Sequence, residues 1–98
     1  DKAQFEKLDI KNPTDVLEKI LKNLEAMEKP WKTAVFEQTF RKLAEESGLS
    51  ASQMFQLIRV AISGQSVTPP LFESIKVLGE EETINRVGKC IEFLESSN

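Results

Sequence analysis

The stretch that decides the fold is residues 54–73, MFQLIRVAISGQSVTPPLFE, in which Arg59 is the only charged residue before Glu73. Its apolar residues recur at helical spacing until Gly64, a residue type that readily ends a helix. The rest of the chain is densely charged. We therefore expect this segment to be a buried central helix pair, a surface that contacts a weakly polar partner, or both.

Short signals before and within this stretch predict where its helices begin and end. Upstream, residues 50–53 (SASQ) have the pattern of a capping box, which predicts a helix that continues to about residue 62. Downstream, Thr68 is placed to be an N-cap with Pro69 in the first helical position. The helix that this pair opens is expected to reach Leu78, because a glycine follows it.

Three more segments have helical periodicity, which predicts an all-α fold. The first begins at residues 12–15 and is ended by the Lys29-Pro30 pair, the second runs from about Lys32 to Ser47, and the last from about Glu80 to Ser96. The apolar residues expected on their inward faces are Val16, Leu17, Ile20, Leu21, Leu24, Met27, Val35, Phe36, Phe40, Leu43, Ala44, Ile84, Val87, Ile91 and Leu94.

The length and composition suit one small globular domain. With 98 residues, 40% of them apolar and 30% charged, the chain has enough apolar residues for a single core. We expect a compact bundle of about five helices over residues 13–98, with residues 1–12 as a linker or entering segment. No apolar run approaches the roughly 18 residues that span a bilayer, so no membrane association is expected.

Missing residue types disfavour several classes of protein. The chain has no histidine, so it lacks the commonest general base and the commonest zinc ligand, and we predict neither a catalytic residue nor a metal ligand. Cys90 is the only cysteine, which excludes an internal disulfide and indicates a reducing compartment, the cytoplasm or an organelle. The net charge of −3 does not indicate a general nucleic-acid binder. Any RNA contact must therefore be local and specific for shape.

Polar residues on the helix before the glycine form one stripe opposite its apolar face. Ser52, Gln56, Arg59 and Ser63 follow one another at spacings of four, three and four residues. Taken alone, Arg59 is most simply a surface arginine that favours the negative end of its own helix or pairs with Glu73.

The helix start at residues 68–72, TPPLF, supports a second interpretation of Arg59. Proline has no N–H, so the first free amide donors of this helix belong to Leu71 and Phe72, and the threonine hydroxyl can satisfy one of them. A rigid, uncharged ledge with two apolar side chains results. Such a ledge suits an unstacked nucleobase, with apolar contact on its face and hydrogen bonds to its edge. The alternative is an ordinary capped helix with both side chains buried.

Three motifs in order resemble the C-terminal anticodon-binding domain of bacterial and organellar glutamyl-tRNA synthetases, which are class I aminoacyl-tRNA synthetases. They are LIRVAISG at residues 57–64, TPPLFE at residues 68–73 and LGEEETINRV at residues 78–87. Trp31 and the stretch FRKLAEESG at residues 40–48 are similar to the upstream helices of that domain. The resemblance extends from about Pro13 to Leu94.

The resemblance implies an anticodon site, because the family places anticodon bases against the matching positions, which here are Arg59, Thr68, Pro69, Leu71 and Phe72. Pro70 stands where other members often have glycine, which stiffens the ledge and removes one amide donor. The run Glu80–Glu82 stands where they often have Gly-Lys-Glu. Because this run would repel phosphate, we expect it to lie away from the RNA.

The resemblance also implies a parent enzyme that uses ATP and Mg²⁺ to activate glutamate and esterifies it to the 3′ end of its tRNA. The His-Ile-Gly-His-like and Lys-Met-Ser-Lys-Ser-like signatures of the catalytic fold are absent from this sequence. We therefore expect this chain to be non-catalytic by itself, to hold no cofactor and to be a monomer. Its expected role is to select tRNA for a larger polypeptide. The partner is tRNA(Glu), with tRNA(Gln) as an open alternative.

A helical adaptor for another protein is the rival hypothesis. In that case Leu71, Phe72 and the face formed by Met54 and Phe55 would make a groove for a partner helix, and Arg59 would anchor its rim.

Overall fold

Six α-helices make up the part of the chain that the computed structural model describes, residues 2–65 and 70–96. They are α1 (Lys2–Glu6), α2 (Pro13–Ala26), α3 (Thr33–Glu46), α4 (Ala51–Ser63), α5 (Leu71–Leu78) and α6 (Glu80–Ser96). No residue within those two ranges lies in a β-strand. The predicted all-α class is confirmed. The sequence predicted about five helices, and the sixth is α1, which the sequence pattern did not predict.

The chain before α2 contributes to the core. Phe5, Leu8 and Ile10 are buried, and α1 packs against α4. The Gln53 side chain on α4 donates a hydrogen bond of 3.2 Å to the Leu8 carbonyl, which joins the two segments. A helix this short has too few turns to show helical periodicity, which explains why the pattern missed it. The division between residues 1–12 and residues 13–98 stays a prediction.

The core is assembled mainly on α2, α4 and α6. Helix α2 packs against α6, α3 and α4, and α6 also packs against α4 and α5. Leu17, Ile20 and Leu24 of α2 are fully buried, as the period predicts. The rings of Phe36 and Phe40 on α3 lie 4.7 Å apart at their centroids, in the interior of the domain.

One inward position was predicted wrongly. Val35 is 45% exposed, because it lies beside Phe36 on α3 and adjacent helical positions point about 100° apart. Ile84 is half-buried and packs against the core as predicted, and Thr83 beside it is fully buried at the start of α6. The hydroxyl of Thr83 donates a 2.8 Å hydrogen bond to the Gly79 carbonyl, which satisfies it within the core.

The limits of α4 agree with the sequence signals. The Ser50 hydroxyl accepts a hydrogen bond from the Gln53 amide, and the Gln53 side chain accepts one from the Ser50 amide, both at 3.0 Å. The predicted capping box is thus confirmed. Gly64 ends the helix in the left-handed conformation with a φ of 78°, which explains why glycine is needed there.

The predicted start of α5 requires a correction. The helix begins at Leu71 with Pro70 as its N-cap, whereas the sequence predicted Thr68 as N-cap and Pro69 as the first helical residue. Thr68 and Pro69 lie outside the described residues. A proline disfavours helical angles in the residue before it, so in a Pro-Pro pair a helix begins more readily after the second proline.

Candidate nucleic-acid interface

A groove of about 570 Å³ lies between α3, α4 and the start of α5. Each of these three segments contributes four residues to its walls, among them Arg59 from α4 and Leu71 and Phe72 from α5. The tertiary structure therefore brings together three of the five residues that the sequence nominated. We call this feature the α4–α5 groove.

Arg59 has a donor without a partner in this groove. The side chain is half-buried, and its Nε atom is buried with no hydrogen-bond acceptor among the described residues. No described carboxylate lies within 4 Å of the guanidinium, so the pairing with Glu73 is not formed even though both residues line the groove. A buried N–H without a partner is unfavourable in the free protein. It can therefore gain a partner when a ligand in the groove offers an acceptor and the side chain turns toward it.

Hydrogen bonds along α4 hold the polar stripe in place beside Arg59. The Gln56 amide group donates to the Ser52 hydroxyl at 3.1 Å, and the Ser63 hydroxyl donates to the Arg59 carbonyl at 2.6 Å. These bonds occupy the neighbouring polar side chains with partners on the same helix. Within the stripe, the Arg59 guanidinium is therefore the group that lines the groove and has an N–H without an acceptor.

Leu71 and Phe72 form the apolar wall at the start of α5. Leu71 is buried, whereas Phe72 is half-buried and packs its ring against that of Phe36 in an edge contact with centroids 5.6 Å apart. The expected ledge is therefore made by Phe72, with Leu71 beneath it. The sequence left two alternatives, an exposed ledge and a capped helix with both side chains buried. The structure combines them, because Leu71 is buried and Phe72 is half-buried.

The start of α5 also has amide donors near the groove. The Pro70 carbonyl accepts hydrogen bonds from the amides of Glu73 and Ser74, at 3.0 and 3.1 Å. No acceptor among residues 2–65 and 70–96 takes the amide hydrogens of Leu71 and Phe72. These are the two donors that the sequence pattern predicted to be free.

Sequence reasoning did not place Arg41 and Phe55, which also line the groove, in the RNA site. The Arg41 guanidinium carbon lies 5.7 Å from the centroid of the Phe55 ring, a cation–π arrangement between α3 and α4. The sequence grouped Phe55 with Met54 on one apolar face. Adjacent helical positions point about 100° apart, and here Met54 is fully buried while Phe55 lines the groove.

Formal charges balance within the groove. Arg41 and Arg59 line it together with Glu37 and Glu73. Such a surface attracts phosphate weakly and suits an uncharged, planar group that offers hydrogen-bond acceptors.

The acidic run at the start of α6 is used for internal contacts. A carboxylate oxygen of Glu80 accepts a 2.6 Å hydrogen bond from the Trp31 amide, and Glu81 lies 3.4 Å from the Lys29 ammonium. Glu82 accepts a 2.9 Å bond from Arg86, and this bond lowers the pKa of the Glu82 carboxyl. None of the three glutamates lines the groove.

The described residues offer no metal centre. No three His, Cys, Asp or Glu side chains within them come together in a way that could hold a metal ion. Burial raises the pKa of the Cys90 thiol to about 11, which keeps the thiol protonated near neutral pH. None of the helices in residues 2–65 and 70–96 is long and apolar enough to cross a bilayer.

Comparison with known proteins identifies relatives over most of the chain. A family model described as "Anticodon binding domain" matches residues 1–91. The glutamate–tRNA ligase 2 of Thermosipho melanesiensis is 40% identical over 85 residues, which are 87% of this chain and 18% of that protein. The glutamate–tRNA ligase 1 of Caldanaerobacter subterraneus subsp. tengcongensis is 39% identical over 83 residues, 85% of this chain and 17% of that protein.

A third relative extends the match along the chain. The glutamate–tRNA ligase of Roseiflexus castenholzii is 34% identical over 92 residues, 94% of this chain and 18% of that protein. The chain thus spans less than a fifth of the length of these curated relatives. No solved structure matches it.

Proposed function

The chain belongs to the anticodon binding domain family, and we propose that it selects tRNA for a glutamate–tRNA ligase by binding anticodon-loop bases in the α4–α5 groove. The observation that carries this proposal is the buried Nε–H of Arg59, which lacks a partner beside the exposed part of Phe72. A base placed there would offer an acceptor on its edge to Arg59. Its face would contact the apolar walls, as in other sites that read unstacked RNA bases.

The geometry gives each wall of the groove a proposed role. Arg59 would read the edge of one base or stack on it, since a planar guanidinium does both. Phe72 and Phe55 would supply ring surface on opposite walls, and the amides of Leu71 and Phe72 would add donors at the start of α5. Stacking on an aromatic ring contributes roughly 1–3 kcal/mol per base in single-strand sites.

Thr68 and Pro69 remain proposed members of the site. They lie immediately before Pro70 in the sequence, and Pro70 is a groove residue. We propose that the threonine hydroxyl and the proline ring extend the surface that Leu71 and Phe72 begin.

The charge of the domain sets the expected strength of binding. Its net charge is −3 and the charges that line the groove cancel. Since Lys and Arg contacts to phosphate supply most of the non-specific affinity of nucleic-acid binders, we expect weak binding to arbitrary RNA. The domain would then contribute to tRNA selection by discriminating between bases.

The activity of a whole ligase is a proposal for a longer polypeptide that includes this domain. Such an enzyme would use ATP and Mg²⁺ to join glutamate to tRNA(Glu), or also to tRNA(Gln). The described residues here hold no group of carboxylates that fits Mg²⁺, so we propose that nucleotide and metal are bound outside them. We further propose that the domain acts as a monomeric unit in a reducing compartment such as the cytoplasm.

The adaptor hypothesis loses one of its supports. It required Met54 and Phe55 to face a partner helix together, and Met54 has no exposed surface. The remaining groove is short, lined by residues of both charges, and carries a guanidinium with an unused donor. These features favour a polar, planar ligand over the apolar face of a helix.

Chemical-shift mapping tests the proposal directly. The ¹⁵N-labelled chain is titrated with a stem-loop RNA that carries a glutamate anticodon, and the Nε–H resonance of Arg59 is followed with the backbone amides. We expect the largest shifts at Arg59, Leu71 and Phe72, then at Arg41 and Phe55. Equal shifts over the whole surface, or none in the groove, would contradict the proposal.

A second RNA and a matched variant complete this experiment. A stem-loop with the same stem and an unrelated loop should bind more weakly, because its unstacked bases present different edges to Arg59. Lys22→Ala removes an exposed cation from α2 that does not line the groove, and should leave binding unchanged. Arg59→Ala should reduce binding of the cognate stem-loop.

A further inference from the structure

Lys76 is placed beside the groove but belongs to none of the residues considered so far. It lies on α5 four positions after Phe72, and its ammonium nitrogen is 5.7 Å from the centroid of the Phe72 ring. Residues four apart on a helix are neighbours on its surface, so this contact is formed within α5 itself. The side chain is exposed.

The ammonium of Lys76 has no acidic partner in the described part of the chain. Only two ion pairs are formed there, Lys29 with Glu81 and Arg86 with Glu82. Glu80, one turn further along the chain, instead accepts its hydrogen bond from the Trp31 amide. The Lys76 ammonium over the Phe72 ring is therefore not paired with a described carboxylate.

A base that stacks on Phe72 must share the ring with this ammonium. The Phe72 ring makes an edge contact with the Phe36 ring, and the Lys76 ammonium lies over the Phe72 ring. An incoming base would displace the cation, whose flexible four-carbon stem allows it to move. A backbone phosphate of the nucleotide that has arrived can then accept the displaced charge, in competition with the exposed Glu73 carboxylate three positions earlier on α5.

We propose that Lys76 is a phosphate-binding residue for the nucleotide whose base contacts Phe72, an inference that rests on the proposed function of the groove. In the free protein its ammonium lies over the ring, and in the complex it contacts a backbone phosphate of the anticodon loop. Base reading by Arg59 and phosphate binding by Lys76 would then be separate parts of one site. The first gives specificity, whereas the second gives affinity that depends on salt.

The salt dependence of binding tests this assignment. The dissociation constant of the cognate stem-loop is measured over a series of salt concentrations for the wild-type chain, Lys76→Gln and Lys22→Gln. Each lost phosphate contact lowers the slope of log K against log salt by about 0.7 for a single strand. We expect this decrease for Lys76→Gln, with roughly three- to tenfold weaker binding at about 50 mM salt, and no decrease for Lys22→Gln.

Two further measurements separate phosphate binding from a general effect on α5. Lys76→Arg keeps the positive charge, so it should restore the wild-type slope. The ratio of affinities for cognate and unrelated loops should be the same for Lys76→Gln and the wild type, because phosphate contacts carry no base information. A changed ratio with an unchanged slope would overturn the assignment.

Neutral phosphate substitutions locate the contact on the RNA. Methylphosphonate is introduced at each loop phosphate in turn, and one position should weaken binding to the wild type but not to Lys76→Gln. If no position does so while the Arg59 resonance still shifts with RNA, this inference fails and the proposed function stands. If the RNA does not perturb the groove at all, the proposed function fails first.

Discussion

The two faces of α4 differ in what they contact. On one face Met54, Leu57 and Ile58 have no exposed surface and are enclosed by the other helices. On the opposite face Arg59 lines an open groove, with a buried Nε–H that no described residue accepts. One helix thus carries both fully buried apolar side chains and a buried donor that lacks a partner among the described residues.

This difference separates stability from recognition. Apolar burial is satisfied within the fold, so substitutions on the core side should change the free energy of unfolding. The donor in the groove contributes little to the free domain because nothing pairs with it. Substitutions there should change RNA binding and leave stability nearly intact.

Phe40→Ala should have the largest effect and defines the core side of the comparison. Phe40 is fully buried and packs on Phe36, so its removal leaves a cavity. We expect a loss of about 3–5 kcal/mol in the free energy of unfolding, measured by urea denaturation. Ile91→Ala, at a buried position of α6, should cost about 2–5 kcal/mol.

Val35→Ala is the matched control for Phe40→Ala on the same helix. Val35 is 45% exposed although the sequence pattern placed it inward. Its truncation should change the free energy of unfolding by less than about 1 kcal/mol. A loss as large as that of Phe40→Ala would mean that α3 is rotated from the orientation described.

Arg59→Ala tests the groove side of the comparison. We expect a roughly ten- to hundredfold loss of affinity for the cognate stem-loop, because a hydrogen bond that involves a charged group contributes about 1.5–3 kcal/mol. The free energy of unfolding should stay within about 0.5 kcal/mol of the wild type. In a full-length ligase the same change should weaken tRNA aminoacylation and preserve glutamate activation. Equal loss of both activities would show that the domain unfolds.

Glu80→Gln should have a smaller effect, at a contact that belongs to neither face of α4. The Glu80 carboxylate accepts a 2.6 Å bond from the Trp31 amide and fixes the chain between α2 and α3 to the start of α6. Glutamine keeps an acceptor but removes the negative charge that favours the N-terminus of α6, so we expect a loss of about 1 kcal/mol or less. Urea denaturation measures the loss, and affinity for RNA should not change.

The pH dependence of Cys90 gives the smallest effect and reports on local packing. Burial raises the pKa of its thiol to about 11, above its ordinary value of 9.0. The protonated thiol therefore favours the folded state at lower pH, and this contribution is lost as pH rises through about 11. Alkylation by iodoacetamide should be slow at neutral pH and should keep accelerating above pH 9. A plateau near pH 9 would show that the thiol is exposed.

The sequence predicted local structure well where a signal lies within a few residues. Ser50 and Gln53 formed the expected capping box, Gly64 ended α4, and α6 runs from Glu80 to Ser96 as predicted. Each of these features depends on backbone geometry that neighbouring residues impose. The errors occurred where that condition failed, in the short helix α1 and at the Pro-Pro start of α5.

The groove could be predicted only in part. Arg59, Leu71 and Phe72 were nominated from their order along the chain, and they do line one groove. The wall made by Arg41 and Phe55 could not be predicted, because it depends on how α3 packs against α4. The position of Lys76 over Phe72 was within reach of the sequence, since the two residues are four apart on one helix.

By itself the sequence determined five of the six described helices, most of their ends and the likeness to an anticodon-binding domain, because periodicity, caps and motif order are local properties of the chain. Only the tertiary structure decided that Phe72 is half-buried, that Glu80 serves the Trp31 amide, and that the Nε–H of Arg59 has no described partner. Each of these facts depends on which side chains from distant segments arrive at one place. Packing in three dimensions sets that arrangement, and residue spacing along the chain does not encode it.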